Sequence, residues 1–337
     1  MLFKKAILFT DIHFGLHHNS AEHNQDVIDF LNWSIEVAKD KNAETCIFLG
    51  DYCHHRSNVS IHTLNYMMQG LSLLNNNFNH TYLILGNHDM YFRDNRTVHS
   101  LVVSQEFKKI TLIDKLTSIK NVTFIPWLVQ DEWKDISNIK SKYTFGHLEI
   151  PGFKFNKNIE MPDHNTVNLK HFENQSTVFS GHFHLRQSLK NVNYIGNPFG
   201  HNYSDSCDVD RGVVYLEWNK EPEYINYKNG PRFVNLQLSE LLEDPDKYLN
   251  EKTYVQSVID SELSYEEILY IRETLLEKYK LREFKIIRKN NTDYDYDATN
   301  TDASCKTVEQ IVIEELLNLS EGSYDSKKML EIFNSLS

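Results

Sequence analysis

Short apolar runs, each followed by a polar cluster, recur five times in the first part of the chain. Short continuous apolar runs bounded by glycine are typical of buried strands. The five runs with their clusters are Ala6–Thr10 before Asp11 and His13, Cys46–Leu49 before Gly50 and Asp51, Tyr82–Leu85 before Gly86-Asn87-His88-Asp89, Tyr143–Phe145 before Gly146 and His147, and Thr177–Ser180 before Gly181-His182-Phe183-His184.

Helical spacing of apolar residues separates the first three of these runs. Two sets recur three and four residues apart: Val27, Ile28, Leu31, Ile35 and Ala38, then Leu64, Met67, Met68, Leu71 and Leu74. Alternating strands and helices predict βαβ units and a parallel sheet. Functional residues of such sheets collect at the carboxyl ends of the strands, and all five polar clusters lie there.

The pattern changes after residue 220. Strands are predicted at Phe233–Leu238, Tyr254–Ile259 and Phe284–Ile287, with a helix at Tyr265–Lys280 that begins with the capping-box pair Ser264 and Glu267. These elements predict a small α+β domain over 221–289, after a larger domain over 1–220.

A polar stretch and two further apolar patterns follow this small domain. Residues 290–304, rich in Asn, Asp, Tyr and Thr, are interpreted as a solvated linker. Within 305–337, two amphipathic helices are predicted from Val308, Ile311, Val312, Leu316 and Leu317, and from Met329, Leu330, Ile332 and Phe333. A short apolar helix pair of this kind either folds back on its own chain or docks onto a partner.

Composition narrows the class of protein. The net charge of −12 argues against a general nucleic-acid-coating protein but leaves open an enzyme that handles nucleic acid through bound metal ions. The four cysteines are too far apart for a zinc finger or a disulfide framework, which predicts reduced thiols and a cytoplasmic location, in the host if a phage encodes the chain. Cys53 is a weak candidate ligand. No apolar run is long enough to cross a membrane, and the N-terminal run is too short for a signal peptide.

Seven side chains at the strand ends form the candidate metal site. Two carboxylates, one amide and four imidazoles suit a pair of borderline divalent ions such as Mn, Fe or Zn. Alternate residues of an extended segment face the same side, so Asp-x-His and His-x-His pairs are expected to reach one region. Each cluster alone has an ordinary interpretation as a turn, whereas five in order favour a site. The seven are Asp11, His13, Asp51, Asn87, His147, His182 and His184.

The ordered motifs Asp-x-His, Gly-Asp-x-x-His, Gly-Asn-His-Asp, Gly-His and Gly-His-x-His resemble those of the calcineurin-like metallophosphoesterases. Within that family they are similar to the double-strand-break-repair nucleases of the SbcD type, including the short recombination endonuclease subunits of tailed phages. The resemblance implies an α/β sandwich over 1–220, a DNA-capping α+β domain over 221–289, and a helical ATPase-binding segment over 305–337. The last part of the family's catalytic domain is matched by Tyr194–Pro198 and Asp210-Arg211-Gly212, with Asn197 where many relatives have Ser.

The resemblance also implies a role for each site residue. Asp11, His13, Asp51 and His184 would hold one metal ion, and Asp51, Asn87, His147 and His182 the other, with Mn²⁺ expected and Mg²⁺, Fe²⁺ or Zn²⁺ as alternatives. His88 would contact the scissile phosphate and assist departure of the sugar hydroxyl, Asp89 would orient His88, and His54 would touch substrate phosphate.

Weaker candidates surround these residues. Arg56, Arg93 and Arg96 closely follow metal motifs and are candidate contacts to the DNA backbone. His17, His18 and His201 are candidates for lining the substrate groove.

Three functions fit these features. The first, implied by the resemblance, is a metal-dependent DNA nuclease, with 3′-to-5′ exonuclease activity on duplexes and endonuclease activity on single strands. It would act in recombination and repair with an SbcC-like coiled-coil ATPase, and would form homodimers through helices at Ile61–Asn75 and Thr97–Phe107. The alternatives are a small-molecule or protein phosphoesterase and a binding protein that has lost activity. His54 and Asp89 stand where protein phosphatases of the superfamily have Asp and Glu, which favours the nuclease.

Overall fold

The computed structural model describes residues 1–288 except 156–158, 164–165 and 207. In chain order its helices and strands are β1 (Lys5–Phe9), α1 (Leu16–Asn19), α2 (Ala21–Lys41), β2 (Thr45–Phe48), α3 (Ile61–Asn77), β3 (His80–Ile84), β4 (Ile110–Ile113), β5 (Thr117–Ile119), β6 (Val122–Ile125), β7 (Ser141–His147), β8 (Gln175–Gly181), β9 (Gln187–Leu189), β10 (Val192–Tyr194), β11 (Gly212–Glu217), β12 (Glu223–Asn226), β13 (Arg232–Gln237), α4 (Leu238–Glu243), α5 (Pro245–Tyr248), β14 (Thr253–Ile259), α6 (Tyr265–Tyr279) and β15 (Glu283–Arg288).

Two six-stranded sheets form the larger domain. The first has the order β12-β11-β1-β2-β3-β4, and β1 to β4 run parallel, as the alternation of strands and helices predicts. The second has the order β5-β6-β7-β8-β10-β9, with β6, β7, β8 and β10 parallel. The parallel strands of each sheet end at a common edge, which is where the polar clusters are.

The alternation of side chains along β1 builds both layers of the core. Ala6 and Leu8 pack toward the second sheet, in a cluster that includes Phe145 and Phe179. Ile7 and Phe9 face the other way, into a cluster formed with α2 and α3. Because both faces of β1 are covered, the strand is apolar from Ala6 to Phe9.

Hydroxyl caps fix the start of each large helix. The Ser20 side chain accepts a hydrogen bond from the backbone N–H of His23 at the start of α2, and Ser60 does the same for Thr63 at the start of α3. Such caps satisfy N–H groups that a helix otherwise leaves without a partner. The loops that precede α2 and α3 carry His13 and His54, so the caps also define where those loops end.

A three-stranded parallel sheet, β13-β14-β15, forms the small domain. The predicted strands and helix are confirmed here, and Ser264 and Glu267 make both hydrogen bonds of the capping box at α6. β12 pairs antiparallel with β11 and so continues the first sheet to Asn226, beyond the predicted boundary at residue 220.

One predicted helix is wrong. The segment Thr97–Phe107 forms only a 3-10 helix at Ser100–Glu106. His99 provides no side-chain cap, and the backbone N–H of Ser100 is held by the carbonyl of Asp89 instead. The adjacent Val102 and Val103 also have low helix propensity.

The predicted linker at 290–304 and the predicted helical segment at 305–337 lie outside the described residues. Within the described part, no helix combines the length and apolar character needed to cross a membrane.

Candidate metal centre

The seven predicted ligands lie together, where strands of the two sheets end. Asp11, Asp51 and Asn87 follow β1, β2 and β3 of the first sheet. His147 ends β7, and His182 and His184 follow β8 of the second sheet. The site is therefore assembled across the gap between the two sheets.

Asp51 joins two groups of side chains. Its Oδ2 atom lies 3.4 Å from Nε2 of His147 on one side and 3.7 Å from Nε2 of His13 on the other. On the His13 side, Oδ1 of Asp11 lies 3.7 Å from Nε2 of His13 and 3.8 Å from Nε2 of His184. A carboxylate oxygen placed between two groups in this way is suited to bridging two cations.

Asn87 occupies the centre of the second group. Its Oδ1 atom lies 3.0 Å from Nε2 of His147 and 3.2 Å from Nδ1 of His182. Asn87 and His147 are buried, and His182 is largely so. One carboxylate, one amide oxygen and two imidazoles thus converge on the same small volume.

Unpartnered atoms at the centre fit a bound cation. Oδ2 of Asp11 accepts hydrogen bonds from the Thr10 hydroxyl (2.6 Å) and the His182 backbone N–H (3.1 Å). The other oxygen of Asp11, Oδ1, is buried and has no hydrogen-bond partner, and neither has Nε2 of His13. Buried polar atoms without partners are costly. A divalent ion between them would satisfy both.

Protein contacts fix which nitrogen each imidazole turns to the centre. Nδ1 of His147 donates to the carbonyl of Leu49 (2.7 Å), so Nε2 is left as the ligand atom. Nε2 of His182 donates to the Glu149 carboxylate (3.1 Å), so Nδ1 is left. Metal-binding histidines are commonly oriented by a carbonyl or a carboxylate in this way.

The charges of the two carboxylates are maintained by the histidines. Burial tends to raise the pKa of Asp11, but the nearby imidazoles of His13 and His147 lower it to about 2. Burial opposes ionisation of Asp51 as well, yet His147 holds its pKa well below the usual range. Burial would lower the pKa of His147, whereas the Asp51 carboxylate raises it to about 9. Without metal, the positive charge of protonated His147 therefore balances the negative charge of the Asp51 carboxylate.

The backbone of these loops is not extended, so the sequence-based reason for the two pairs is wrong. Asp11, His13, Asp51 and His182 all have positive φ, between 48° and 91°. Both residues of the first pair, Asp11 and His13, are left-handed, and in the second pair His182 is, where alternation along an extended strand was expected. Several uncommon conformations at one place are typical of functional sites.

Gly50 and Gly86 are required for different reasons. Gly50 has φ of 104°, which favours glycine. Gly86 has no such requirement, but a Cβ atom there would lie 2.2 Å from Oδ1 of Asp51. The first glycine permits a turn, and the second permits close approach of two loops.

His54 and His88 line the cleft above the centre. Their rings stack at 5.1 Å with an interplanar angle of 17°. Nδ1 of His88 donates to the carbonyl of His54 (2.7 Å), which leaves Nε2 of His88 to exchange a proton. Burial and the nearby His13 lower the pKa of His54 to about 3, so this ring is neutral. The cleft has a volume of about 310 Å³ and is also lined by His182 and His184.

The model of the family described as calcineurin-like phosphoesterase matches residues 4–234. The chain belongs to this family. The match covers both six-stranded sheets and every strand end that carries a predicted ligand, which confirms the family and the fold expected from the motifs.

Individual relatives of this phosphoesterase include nucleases and phosphatases. The chain is 24% identical over 288 residues to exonuclease subunit 1 of Enterobacteria phage T4, with 76% of this chain and 82% of that protein covered. Solved structures that resemble it include nuclease MPE of Pseudomonas putida (16% identity, TM-score 0.32, 62% and 83% covered). Two others are the phosphoesterase Yfce of E. coli (14%, 0.32, 66% and 92%) and a dimetal phosphatase of Danio rerio (11%, 0.37, 63% and 92%).

Asp89 of this phosphoesterase does not contact His88 as expected. Its carboxylate accepts hydrogen bonds from the backbone N–H groups of Asp51 (3.0 Å), Cys53 (2.8 Å) and Gly86 (3.0 Å). Among the described residues it makes no hydrogen bond to the His88 ring. Burial and the charge of Asp51 raise the pKa of Asp89 to about 7. Asp89 therefore ties together the loops after β2 and β3.

The three candidate arginines lie in different environments. Arg96 is not available to DNA, because its guanidinium donates to the carbonyls of Asp114 and Trp127 (both 2.6 Å) and forms a bidentate pair with Glu132. Burial lowers the pKa of Arg56, which lies near enough to Asp51 and Arg93 to feel both charges. Arg93 is exposed. Arg56 and Arg93 remain predicted phosphate contacts.

Two residues near the centre were missed or underrated from the sequence. Glu149 orients His182, and its position two residues after His147, in Gly-His-x-Glu, was the available signal. His201, expected only to line a groove, is buried between the rings of His13 and His184. Burial raises the pKa of the Cys53 thiol to about 12, which does not suit a ligand.

Proposed function

We propose that the chain is a metal-dependent DNA nuclease, a 3′-to-5′ exonuclease on duplexes and an endonuclease on single strands. It would act with an SbcC-like coiled-coil ATPase in recombination and repair. The observation that carries this proposal is the convergence on Asp51 of two ligand groups beneath a cleft lined by His54 and His88. The name of the phage T4 relative, an exonuclease subunit, gives further support.

The proposed ligand sets follow the two groups. Asp11, His13, Asp51 and His184 hold one ion, and Asp51, Asn87, His147 and His182 hold the other. Mn²⁺ is the proposed metal, with Mg²⁺, Fe²⁺ and Zn²⁺ as alternatives. Two divalent ions held by these residues would supply positive charge to the attacking and leaving oxygens of a phosphate ester. The positive charge they supply lets a chain of net charge −12 bind an anionic substrate at this place.

His88 is the proposed proton donor to the leaving sugar oxygen. The carbonyl of His54 holds the proton on Nδ1 of His88, so the imidazolium form would give its second proton, the one on Nε2, to the leaving oxygen and return to the neutral ring. General acid catalysis requires a donor within hydrogen-bond reach of the leaving group, and His88 lines the same cleft as Asp51. Neutral His54 stacks on His88 and would contact a phosphate oxygen from the cleft wall.

The DNA backbone would continue from the cleft past Arg56 and Arg93. These are the two candidate arginines whose described contacts leave guanidinium groups for phosphate, in contrast to Arg96. Contacts to phosphate position a strand without reading its sequence. The small domain over 221–289 is the proposed DNA-capping domain.

Two protein partners belong to the proposal. The ATPase would bind through residues 305–337. A second copy would pack on α3 and the 3-10 helix that follows it, where Ile61, Val98 and Val102 are 87%, 51% and 54% exposed. Exposed apolar residues grouped on a surface commonly mark an interface. Ile61→Asp should convert a dimer to a monomer in sedimentation analysis, whereas unchanged mass would contradict this face.

The test of the function compares four substrates in the presence of Mn²⁺: duplex DNA, single-stranded DNA, bis(p-nitrophenyl) phosphate and p-nitrophenyl phosphate. The wild-type chain is expected to cleave both DNAs and the diester. His88→Ser should keep both metal ions and lose cleavage by roughly 10²-fold or more, since general acid catalysis contributes about that factor.

The same assay separates the alternatives. Cleavage of the monoester alone would favour a phosphatase over a nuclease. A metal-loaded chain that cleaves none of the four substrates would favour a binding protein.

A further inference from the structure

We propose that His201 is an additional ligand of the metal ion assigned to Asp11, His13, Asp51 and His184. This inference rests on the proposed function, because it requires that ion. Ligation by His201 adds an imidazole that belongs to none of the sequence motifs. It also limits which metals the site accepts.

Position is the first support. His201 lies in the loop that follows β10, and its side chain is almost fully buried, at 1% exposure. Its ring centroid lies 5.1 Å from that of His184 and 5.4 Å from that of His13. One ring nitrogen from each of these three histidines lies within 4.8 Å of the other two, close enough for all three to share one ion.

The absence of hydrogen bonds is the second support. Nδ1 and Nε2 of His201 are both buried without a hydrogen-bond partner. Among the histidines that the structure describes, His201 alone has two such nitrogens. Nε2 of His13, across the same space, also lacks a partner. Since buried polar atoms are normally paired, a cation shared by these rings accounts for the unpaired atoms on both sides.

A rigid support holds the loop in place. The backbone N–H of His201 donates to Oδ2 of Asp205 (2.8 Å), and Oδ1 of Asp205 pairs with Nη2 of Arg211 (3.1 Å). Arg211 in turn donates from Nη1 to the backbone carbonyl of His184 (3.1 Å). His201 and His184 are thus positioned by one buried network, as two ligands of a single ion need to be.

The donor set determines the metal class. Three imidazoles and two carboxylates suit Mn²⁺, Fe²⁺, Co²⁺ or Zn²⁺, whereas Mg²⁺ prefers oxygen ligands and retains its waters. Mg²⁺ should therefore fill this position poorly. The second position, with an amide and two imidazoles besides Asp51, does not gain a ligand from His201.

The experiment uses the full chain after removal of metal. Co²⁺ and Mn²⁺ are titrated into wild type, His201→Ala, His201→Gln and the matched control His62→Ala, which removes an exposed histidine on α3. Calorimetry counts the ions, and the visible absorption spectrum of Co²⁺ reports its ligands. Both His201 variants should bind one of two ions at least about tenfold more weakly and change the Co²⁺ spectrum, and His62→Ala should match wild type.

Folded His201 variants with wild-type affinity and an unchanged Co²⁺ spectrum would overturn the inference. If neither variant folds, imidazole ¹⁵N spectra of the wild-type chain decide it. Zn²⁺ should then shift a ring nitrogen of His201 as strongly as that of His184, and a shift no larger than that of His62 overturns the inference. Wild type that binds no metal at all would instead overturn the proposed function itself.

Discussion

Glu149 is the residue through which the second sheet sets the orientation of His182. Its carboxylate accepts a hydrogen bond from Nε2 of His182, and Nδ1 of the same ring lies beside Asn87. The interaction both orients the ring and makes it a better donor to a cation. Glu149 therefore influences metal binding although it is not one of the proposed ligands.

Glu149→Ala should weaken binding of one metal ion by about 10- to 100-fold and leave the other unchanged. Glu149→Gln, which can still accept a hydrogen bond, should have a smaller effect. Calorimetric titration with Mn²⁺ measures both affinities. Glu173→Ala, at an exposed site, is the control. Equal loss at both positions, or no loss, would contradict this role.

His23 makes the metal-free chain sensitive to acid. Burial, followed by the nearby His17, lowers the pKa of His23 from 6.5 to about 4. Between these values the unfolded chain takes up a proton that the folded chain excludes. Stability from His23 is thus complete above pH 6.5 and is lost as the pH falls toward 4.

His23→Gln should remove this dependence, because glutamine can still donate to the carbonyls of Ile12 and His13 but does not titrate. Urea unfolding with a chelator at pH 7 and 4.5 measures it. Wild type should lose roughly 2–3 kcal/mol more than the variant on acidification. The idea fails if the two chains lose the same free energy.

For individual residues, the sequence predicted which side chains lie together. It did not predict the backbone conformations and contacts that bring them together. The motif residues from Asp11 to His184 are near one another as expected, because parallel strands end at a common edge. The left-handed backbone of Asp11 and His13, the contacts of Asp89 and the burial of His201 depend on packing between loops. None of these has a sequence pattern of its own.

Among the elements, α2 contacts the segments that lead into the small sheet. Asp26, buried on α2, pairs with Nη1 and Nη2 of Arg282 at 2.5 and 2.9 Å and with Nζ of Lys252 at 2.9 Å. Arg282 precedes β15, and Lys252 precedes β14. Asp26 therefore joins α2 to the segments that lead into two strands of the small sheet, beside a second link in which Tyr203 donates to Glu283 (2.7 Å).

Asp26→Ala should destabilise the chain by roughly 3 kcal/mol, since it leaves two partly buried cations without their shared partner. Asp29→Ala is the matched control. Asp29 contacts the same Lys252 but its side chain is 40% exposed, so its loss should cost less than about 1 kcal/mol. Urea unfolding at neutral pH compares them, and similar values for both variants would contradict the buried link.

Elements buried on both faces were the easiest to predict. β1, β2 and β3 are apolar over most of their length, β7 and β8 contain the short runs Tyr143–Phe145 and Thr177–Ser180, and α6 has a capping box. The short edge strands β5, β9 and β12 were missed because three or four half-exposed residues give no clear period. The 3-10 helix at Ser100–Glu106 was mistaken for an α-helix because apolar spacing alone does not distinguish them.

For the whole molecule, negative charge makes the proposed partners important. A chain with net charge −12 has little long-range attraction for DNA, so binding would depend on the metal centre and on an ATPase.

Removal of 305–337 should abolish co-purification with the coiled-coil ATPase and preserve hydrolysis of bis(p-nitrophenyl) phosphate. Retained co-purification after the deletion would show that the partner binds elsewhere.

A single turn of α2 has a mechanical consequence. His23 in that turn donates to the carbonyl of His13, and Asp26, three residues later, forms an ion pair with Arg282. The same turn of α2 therefore supports both the loop of His13 and the segment that leads into β15. A substitution that displaces this turn should disturb both places at once.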